Sequence, residues 1–353
     1  MRHQFTWLAF FVAVGAAVVV FNAPGAAQQR QIRIFDSQQG IYYADANDRT
    51  IRALPVRENI YMIVGAGANI TVQMGDEGVL VVDTGSGTAN EKVLSLVRQL
   101  STKPIRYIVN TSFRPDHTGG NVGFKIPAGG AVPAAGGGGG GGGRGGAGGG
   151  RGGVPIVAHE NVLRVMATGP AGKPSPTPTD AWPTQTFHVS HEDLYFNGES
   201  IQVLYEPDSA TDGDSMVYFR RSDVISAGDI FMTTTYPVID VNNGGSINGV
   251  INGLNHLLDL TIPKEKQEGG TMVIPGHGRI SDEADVVEYR DMVTIIRDRI
   301  RDAIKKGKTL QQIQSSGLTK DYDPRYGTST GPWTTAMFIE AAYQSLNGLN
   351  KKP

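Results

Sequence analysis

Apolar and polar positions come in short blocks through the first half of the chain. Ile60–Val64, Ala68–Met74 and Gly78–Val82 are apolar runs of strand length. The segment MGDEG, with Gly75 and Gly78, separates the last two as a hairpin turn. The period then changes. Glu91 to Leu100 places Val93, Leu94, Val97 and Leu100 on one face of a helix, and KPIRYIVN follows as another strand. The order strand, helix, strand, with a polar tip on each strand, predicts an α/β protein with its chemistry at the carboxyl ends of strands.

The second half continues the pattern. VPIVAHENVLRVMA reads as a strand and then a helix starting near His159. Phe187–Ser190, Leu194–Phe196, Ile201–Tyr205, Met216–Arg220 and Val224–Ser226 read as successive strands, Gly244–Leu260 as a helix, and TMVIPGHG as a last strand and loop. Beyond it, Val286, Tyr289, Val293, Ile296, Ile300 and Ile304 have the spacing of one helix face. Further helices are expected around Leu310–Ser315 and Trp333–Leu346, packed back onto the body. Tyr326, Trp333, Phe338 and Tyr343 are expected to cover apolar core, with a substrate groove as the other use.

Two segments stand outside this pattern. MRHQ and the apolar run Thr6 to Phe21 precede small residues at Gly25 and Ala27, as in a signal peptide; an uncleaved anchor is the alternative. Residues 129–153, GGAVPAAGGGGGGGGRGGAGGGRGG, bury no apolar surface and read as a disordered insertion in a surface loop. The expected organisation is a signal peptide over 1–27, an N-terminal extension over 28–56, one domain over 57–282 and C-terminal helices over 283–353.

Hydrophobic residues at 39% suffice for a core, and a formal charge of -2 gives no reason to expect nucleic acid or an anionic membrane as partner. The absence of cysteine excludes disulfides, thiolate ligands and a cysteine nucleophile. It also suits an exported, periplasmic or secreted protein. A small-molecule substrate is the expected partner.

The chemistry-bearing residues sit at strand ends. Asp116 and His117 come from NTSFRPDHTGGN, Asp229 from SAGDIF and His277 from VIPGHG. Two imidazoles and two carboxylates make a donor set for Zn²⁺, with Fe or Mn also compatible.

The segments VVDTGSG, NTSFRPDHTGGN, TDGDSMVYF, SAGDIF and PGHG, in that order, resemble the metallo-β-lactamase fold superfamily over residues 57 to 280. The resemblance implies a four-layer αββα sandwich with a metal site at one edge of its two sheets. It maps Asp116, His117, Asp229 and His277 onto the family's second metal position. It also shows a departure. The histidines of the first position are replaced by Ser112, Arg114 and Ala210.

One zinc ion is therefore expected, activating water against an amide, ester or related bond. Asp116 would orient or deprotonate that water. Arg114 would stand in for the missing cation, holding Asp116 and Asp229 apart or stabilising an oxyanion. Asp83 would support the ligands from behind, as would Asp212 and Asp214 if their turn reaches the metal edge. Asp208 is a less favoured substitute ligand. Ser112 lacks a base to act as a nucleophile, and His159, His188, His191 and His256 read as structural. The rival reading is a non-catalytic binding or scaffold protein of the same fold with at most a residual metal site.

Overall fold

Every residue of Gly78–Val82 and of Val224–Met232 is buried, which is possible only for strands covered on both faces. These two strands lie in different sheets of the computed structural model, which describes residues 31–36, 40–45, 50–125, 153–169, 173–266 and 269–348. The expected signal peptide lies outside these residues, as does the glycine-rich insertion apart from Gly153.

In chain order the first sheet holds β1 (Gln31–Asp36), β2 (Gly40–Asp45), β3 (Arg52–Arg57), β4 (Ile60–Val64), β5 (Ile70–Gly75), β6 (Gly78–Val82), β7 (Ile105–Val109), β8 (Ile156–His159) and β9 (Gln185–Phe187). The second holds β10 (His191–Phe196), β11 (Glu199–Tyr205), β12 (Ser215–Phe219), β13 (Val224–Met232) and β14 (Met272–His277). The first sheet is antiparallel from β1 to β6 and parallel from β6 to β9. The second is antiparallel except for the parallel pair β13 and β14.

The helices are α1 (Asn90–Leu100), α2 (Pro115–Thr118), α3 (Asn121–Lys125), α4 (Glu160–Ala167), α5 (Ile247–Leu260), α6 (Glu283–Lys305), α7 (Leu310–Ser315), α8 (Asp323–Tyr326) and α9 (Thr335–Leu346). Three apolar layers hold the elements together. Val93, Leu96 and Val97 of α1 pack with Val72, Val79 and Val81 on the outer face of the first sheet. Between the sheets, Met62, Leu80 and Val109 meet Val203, Val217 and Ile274. On the outer face of the second sheet, Ile225 and Phe231 meet Leu254 of α5, Val293 and Ile296 of α6, and Phe338 of α9. The order helix, sheet, sheet, helix is the αββα sandwich, with additional C-terminal helices.

Several elements differ in extent from the sequence reading. β13 runs on to Met232 through a register irregularity at Gly228, whose φ of 52° is left-handed. α5 begins at Ile247 rather than Gly244. Gly244 takes a left-handed φ of 85° and Ser246 caps the helix by accepting the Gly249 N–H. The N-terminal extension contributes β1, β2 and most of β3. β3 pairs with β4, so the strands before residue 57 are continuous with the first sheet.

Candidate metal centre

Four strand ends and one short helix converge at one edge of the sandwich. Asp83 follows β6, Thr111 and Arg114 follow β7, Asp116 and His117 lie on α2, Asp229 lies in β13, and His277 ends β14. Parallel pairing of β6 with β7, and of β13 with β14, brings their carboxyl ends side by side.

Asp83 adopts a left-handed φ of 60° and is buried. In that position its Oδ1 accepts the Thr111 N–H at 2.9 Å and its Oδ2 accepts the Thr111 hydroxyl at 2.6 Å. The same Oδ2 lies 2.8 Å from His117 Nδ1. A carboxylate accepts only, so Nδ1 carries the proton and donates it, and Nε2 faces into the cluster. His117 is fully buried, and its carbonyl accepts the Thr84 N–H.

His117 Nε2 lies 3.2 Å from Asp229 Oδ1, and both atoms are buried without a hydrogen-bond partner. His277 Nε2 lies 3.1 Å from Asp116 Oδ2 and 3.7 Å from Asp229 Oδ1. The donor atoms of Asp116, His117 and His277 all fall within 4.8 Å of one another. Buried polar atoms are ordinarily paired. Two orphaned acceptor atoms that face each other beside two more donor groups fit a small cation. The Asp116, His117, Asp229 and His277 set therefore suits a divalent ion, with Asp229 meeting the two imidazoles through Oδ1.

Glycine makes the approach possible. A Cβ on Gly276 would stand 2.4 Å from Asp229 Oδ1, and Gly228 holds a left-handed φ of 52° against Thr111.

Arg114 points inward. Its Nη1 donates to Asp229 Oδ2 at 2.8 Å and its Nη2 to the Val238 carbonyl at 2.6 Å. Its ion pair is thus with Asp229, not a shared one holding Asp116 and Asp229 apart. The two oxygens of Asp229 are divided, Oδ2 to the guanidinium and Oδ1 to the imidazoles. Of the other replaced positions, Ser112 and Ala210 are fully buried, and the Ser112 hydroxyl is without a partner.

The electrostatics follow from this packing. Burial pushes the Asp229 carboxyl up, but His117 and Arg114 outweigh it and hold the group well below the ordinary carboxylate range. Burial likewise raises Asp116, and its bond with His277 and the charge of His117 bring it down below the usual value. Burial lowers His117, yet Asp229 and Asp83 raise it well above an ordinary imidazole. A proton and a metal ion thus compete for the same Nε2. Asp214 is pushed up to about 6 by burial, against the pull of Arg114. It accepts the Thr211 N–H and hydroxyl and completes the charge environment of Arg114.

Asp212 corrects the sequence reading. Its Oδ1 accepts the Tyr205 hydroxyl at 2.6 Å, and Arg164 stands 4.0 Å from its Oδ2, so it braces the Tyr205 ring instead of the metal cluster. Tyr205 in turn stacks on His159, with ring centroids 3.7 Å apart. His159 caps α4 by accepting the Asn161 N–H.

The cluster opens into a cleft of about 630 Å³. Arg114, Asp116, Asp229 and His277 line it, together with the 238–242 loop and residues of α9. The loop and α9 were missed by sequence reasoning, which weighed Trp333 chiefly as core cover. Trp333 both packs against the core and lines the cleft, whereas Tyr326 and Phe338 are buried in the core.

A family model described as the metallo-beta-lactamase superfamily matches residues 63–277. The chain belongs to the metallo-beta-lactamase superfamily. No curated protein matches it. Among solved structures it is similar to a double mutant of the sec-alkyl sulfatase PisA1, with a TM-score of 0.59 at 16% identity, over 94% of this chain and 58% of that one. It is also similar to the stereoselective inverting sec-alkylsulfatase Pisa1 from Pseudomonas sp., with a TM-score of 0.58 at 16% identity, over 88% of this chain and 56% of that one. The chain thus spans less than three fifths of these sulfatases. A likeness to the DIM-1 metallo-beta-lactamase has a TM-score of 0.49 at 17% identity, over 69% of this chain and 97% of that one. At these identities the likeness is one of fold.

Proposed function

We propose that this protein is an exported hydrolase that works with one divalent ion, zinc, held by Asp116, His117, Asp229 and His277. The observation that carries the reading is the divided carboxylate of Asp229. Oδ2 is neutralised by Arg114, so only Oδ1 remains for a cation. A second ion would have to displace a guanidinium that is also tied to the Val238 carbonyl. When bound, the ion supplies Lewis acidity and makes water a nucleophile near neutral pH.

The chain's own groups do the rest. Asp83 fixes the tautomer and orientation of His117. Asp116, the most exposed member of the cluster, borders the cleft, where its carboxylate orients the attacking water and accepts its proton. Arg114 also lines the cleft and retains N–H groups beyond the two it has committed, so it can bind the oxygen on which negative charge develops. The bond attacked is an amide, an ester or a related bond.

The test is metal analysis of the purified protein, followed by turnover of generic lactam, ester and phosphodiester substrates with and without chelator. One equivalent of metal and chelator-sensitive turnover are expected. Protein that binds no metal ends the hydrolase reading. One bound ion without turnover of any of the three leaves a structural metal in a binding protein. Intact mass of the secreted product tests export, with cleavage expected near Ala27.

A further inference from the structure

We infer that the cleft selects an acyl substrate with an extended, uncharged apolar tail, and that α9 with the loop before it is the specificity wall. The inference rests on the hydrolase reading for its chemistry but not for its binding.

Three observations meet here. First, beyond the metal cluster the lining is largely apolar: Met232, Val238, Ile239, Trp333, Met337 and Ala341. A cleft of about 630 Å³ is in the range of sites that take a small organic molecule. Second, Met337 is 41% exposed, one of few large apolar side chains so exposed among the described residues, and it stands on this lining. An unbranched, adaptable thioether left in solvent at a cleft suits contact with a flexible apolar ligand. Third, the charges on the lining are arranged against a second anion. Arg114 is the one lysine or arginine there and is committed to Asp229. Glu340 on α9 and Asp240 in the 238–242 loop add negative charge to the tail-binding part. Glu340 accepts the Gln344 amide at 3.0 Å and Asp240 accepts the Asn243 amide at 2.7 Å, which orients both carboxylates without neutralising them. A tail ending in a carboxylate would meet like charge there, and a neutral alkyl tail would not.

The wall lies outside the family match. The family match ends at residue 277, and Pro332–Gln344 lies beyond it. α9 is anchored from behind by Phe338, Ile339 and Ala342 in the core, so its cleft-facing residues form a fixed surface.

The experiment compares p-nitrophenyl acetate, butyrate and octanoate with mono-p-nitrophenyl suberate, which has the length of the octanoate and a terminal carboxylate. kcat/KM is expected to rise about threefold to fourfold per added methylene until the cleft is filled. The suberate should fall about tenfold or more below the octanoate. Glu340→Gln narrows that gap. Met337→Glu, at an exposed position on the lining, lowers octanoate kcat/KM more than acetate kcat/KM, so the rise with tail length flattens.

Binding is read separately through quenching of tryptophan fluorescence by 8-bromo-1-octanol. Saturable quenching is expected and should be lost in Trp333→Phe. Esters hydrolysed without regard to tail length, with no saturable quenching, would overturn this inference and leave the hydrolase intact. Saturable quenching that depends on Trp333, without turnover of any ester, lactam or phosphodiester, supports the apolar cleft and removes the hydrolase reading instead.

Discussion

Arg114 and Asp229 form an ion pair at 2.8 Å in which the carboxylate is 1% exposed and the guanidinium 14%. The arginine is the N-cap residue of α2, at a position where the family resemblance implies a histidine ligand. It places a permanent charge on one oxygen of a carboxylate whose other oxygen serves the cluster.

Removing that charge leaves Asp229 buried with an unpaired oxygen. Arg114→Ala should cost about 3–5 kcal/mol of stability, the range for breaking one side of a buried pair. Denaturant unfolding without added metal measures it. Arg114→His should not raise the metal content above one equivalent, because Ser112 and Ala210 supply no further imidazole. Two equivalents in that single variant, by elemental analysis, would contradict the one-ion reading.

Asp83 acts through His117, and its left-handed backbone makes the choice of variant important. Asparagine tolerates φ near 60°, whereas alanine is strained there. Asp83→Asn should therefore fold normally yet lose about 10–100-fold in metal affinity, since the carboxylate that orients the imidazole is gone. Asp83→Ala should lose affinity and also unfold at lower denaturant. Competition with a chromophoric chelator reads the first effect and an unfolding curve the second. Unchanged affinity in Asp83→Asn would remove its supporting role.

The pair of Glu206 and His256, 2.6 Å apart, gives a pH dependence away from the metal. The hydrogen bond with Glu206 raises His256 above its ordinary value, and burial raises Glu206 against the pull of His256. Both groups hold their protons more tightly in the folded state. Each contribution is complete below its unfolded value, 6.5 for the imidazole and 4.5 for the carboxyl, and is lost as pH rises through the folded value. The stability gap between wild type and His256→Gln should be widest near pH 6.5, where Glu206 is ionised and His256 still protonated, and shrink as pH rises above it. Unfolding curves at a series of pH values check the sign, and a gap that grows with pH above 6.5 would refute it.

The strands that carry the site were readable because each ends a run of apolar residues in a polar one. Val82 gives way to Asp83 and Val109 to Asn110, while Pro275 and Gly276 lead to His277. Buried strands feeding a site at their carboxyl ends leave that local mark. β1 to β3 leave a weaker one, since QIRIFD and RALPVR mix charge with apolar residues. The direction of a side chain has no local signature at all. Asp212 and Asp214 are two residues apart, yet one engages Tyr205 and the other stands within the field of Arg114. The cleft wall was legible only as the second use weighed for Trp333. Trp333 and Met337 show helical spacing that suits core packing, and only the seating of α9 beside the 238–242 loop turns part of that helix toward the metal cluster.

Gly276 provides the most local test of the metal centre. It precedes His277 on β14, and an added Cβ would lie 2.4 Å from Asp229 Oδ1 and 2.7 Å from the Gly228 carbonyl. Backbone on one side cannot yield, so the carboxylate must move. Gly276→Ala should cost about 1–3 kcal/mol through overpacking. Its larger effect should be on metal content, because Oδ1 is the atom that faces both imidazoles. The expected result is a folded protein that retains its secondary structure by circular dichroism and purifies with well under one equivalent of metal. Full metal content and full turnover in Gly276→Ala would mean that Asp229 is not a ligand, leaving Asp116, His117 and His277 to hold the ion alone.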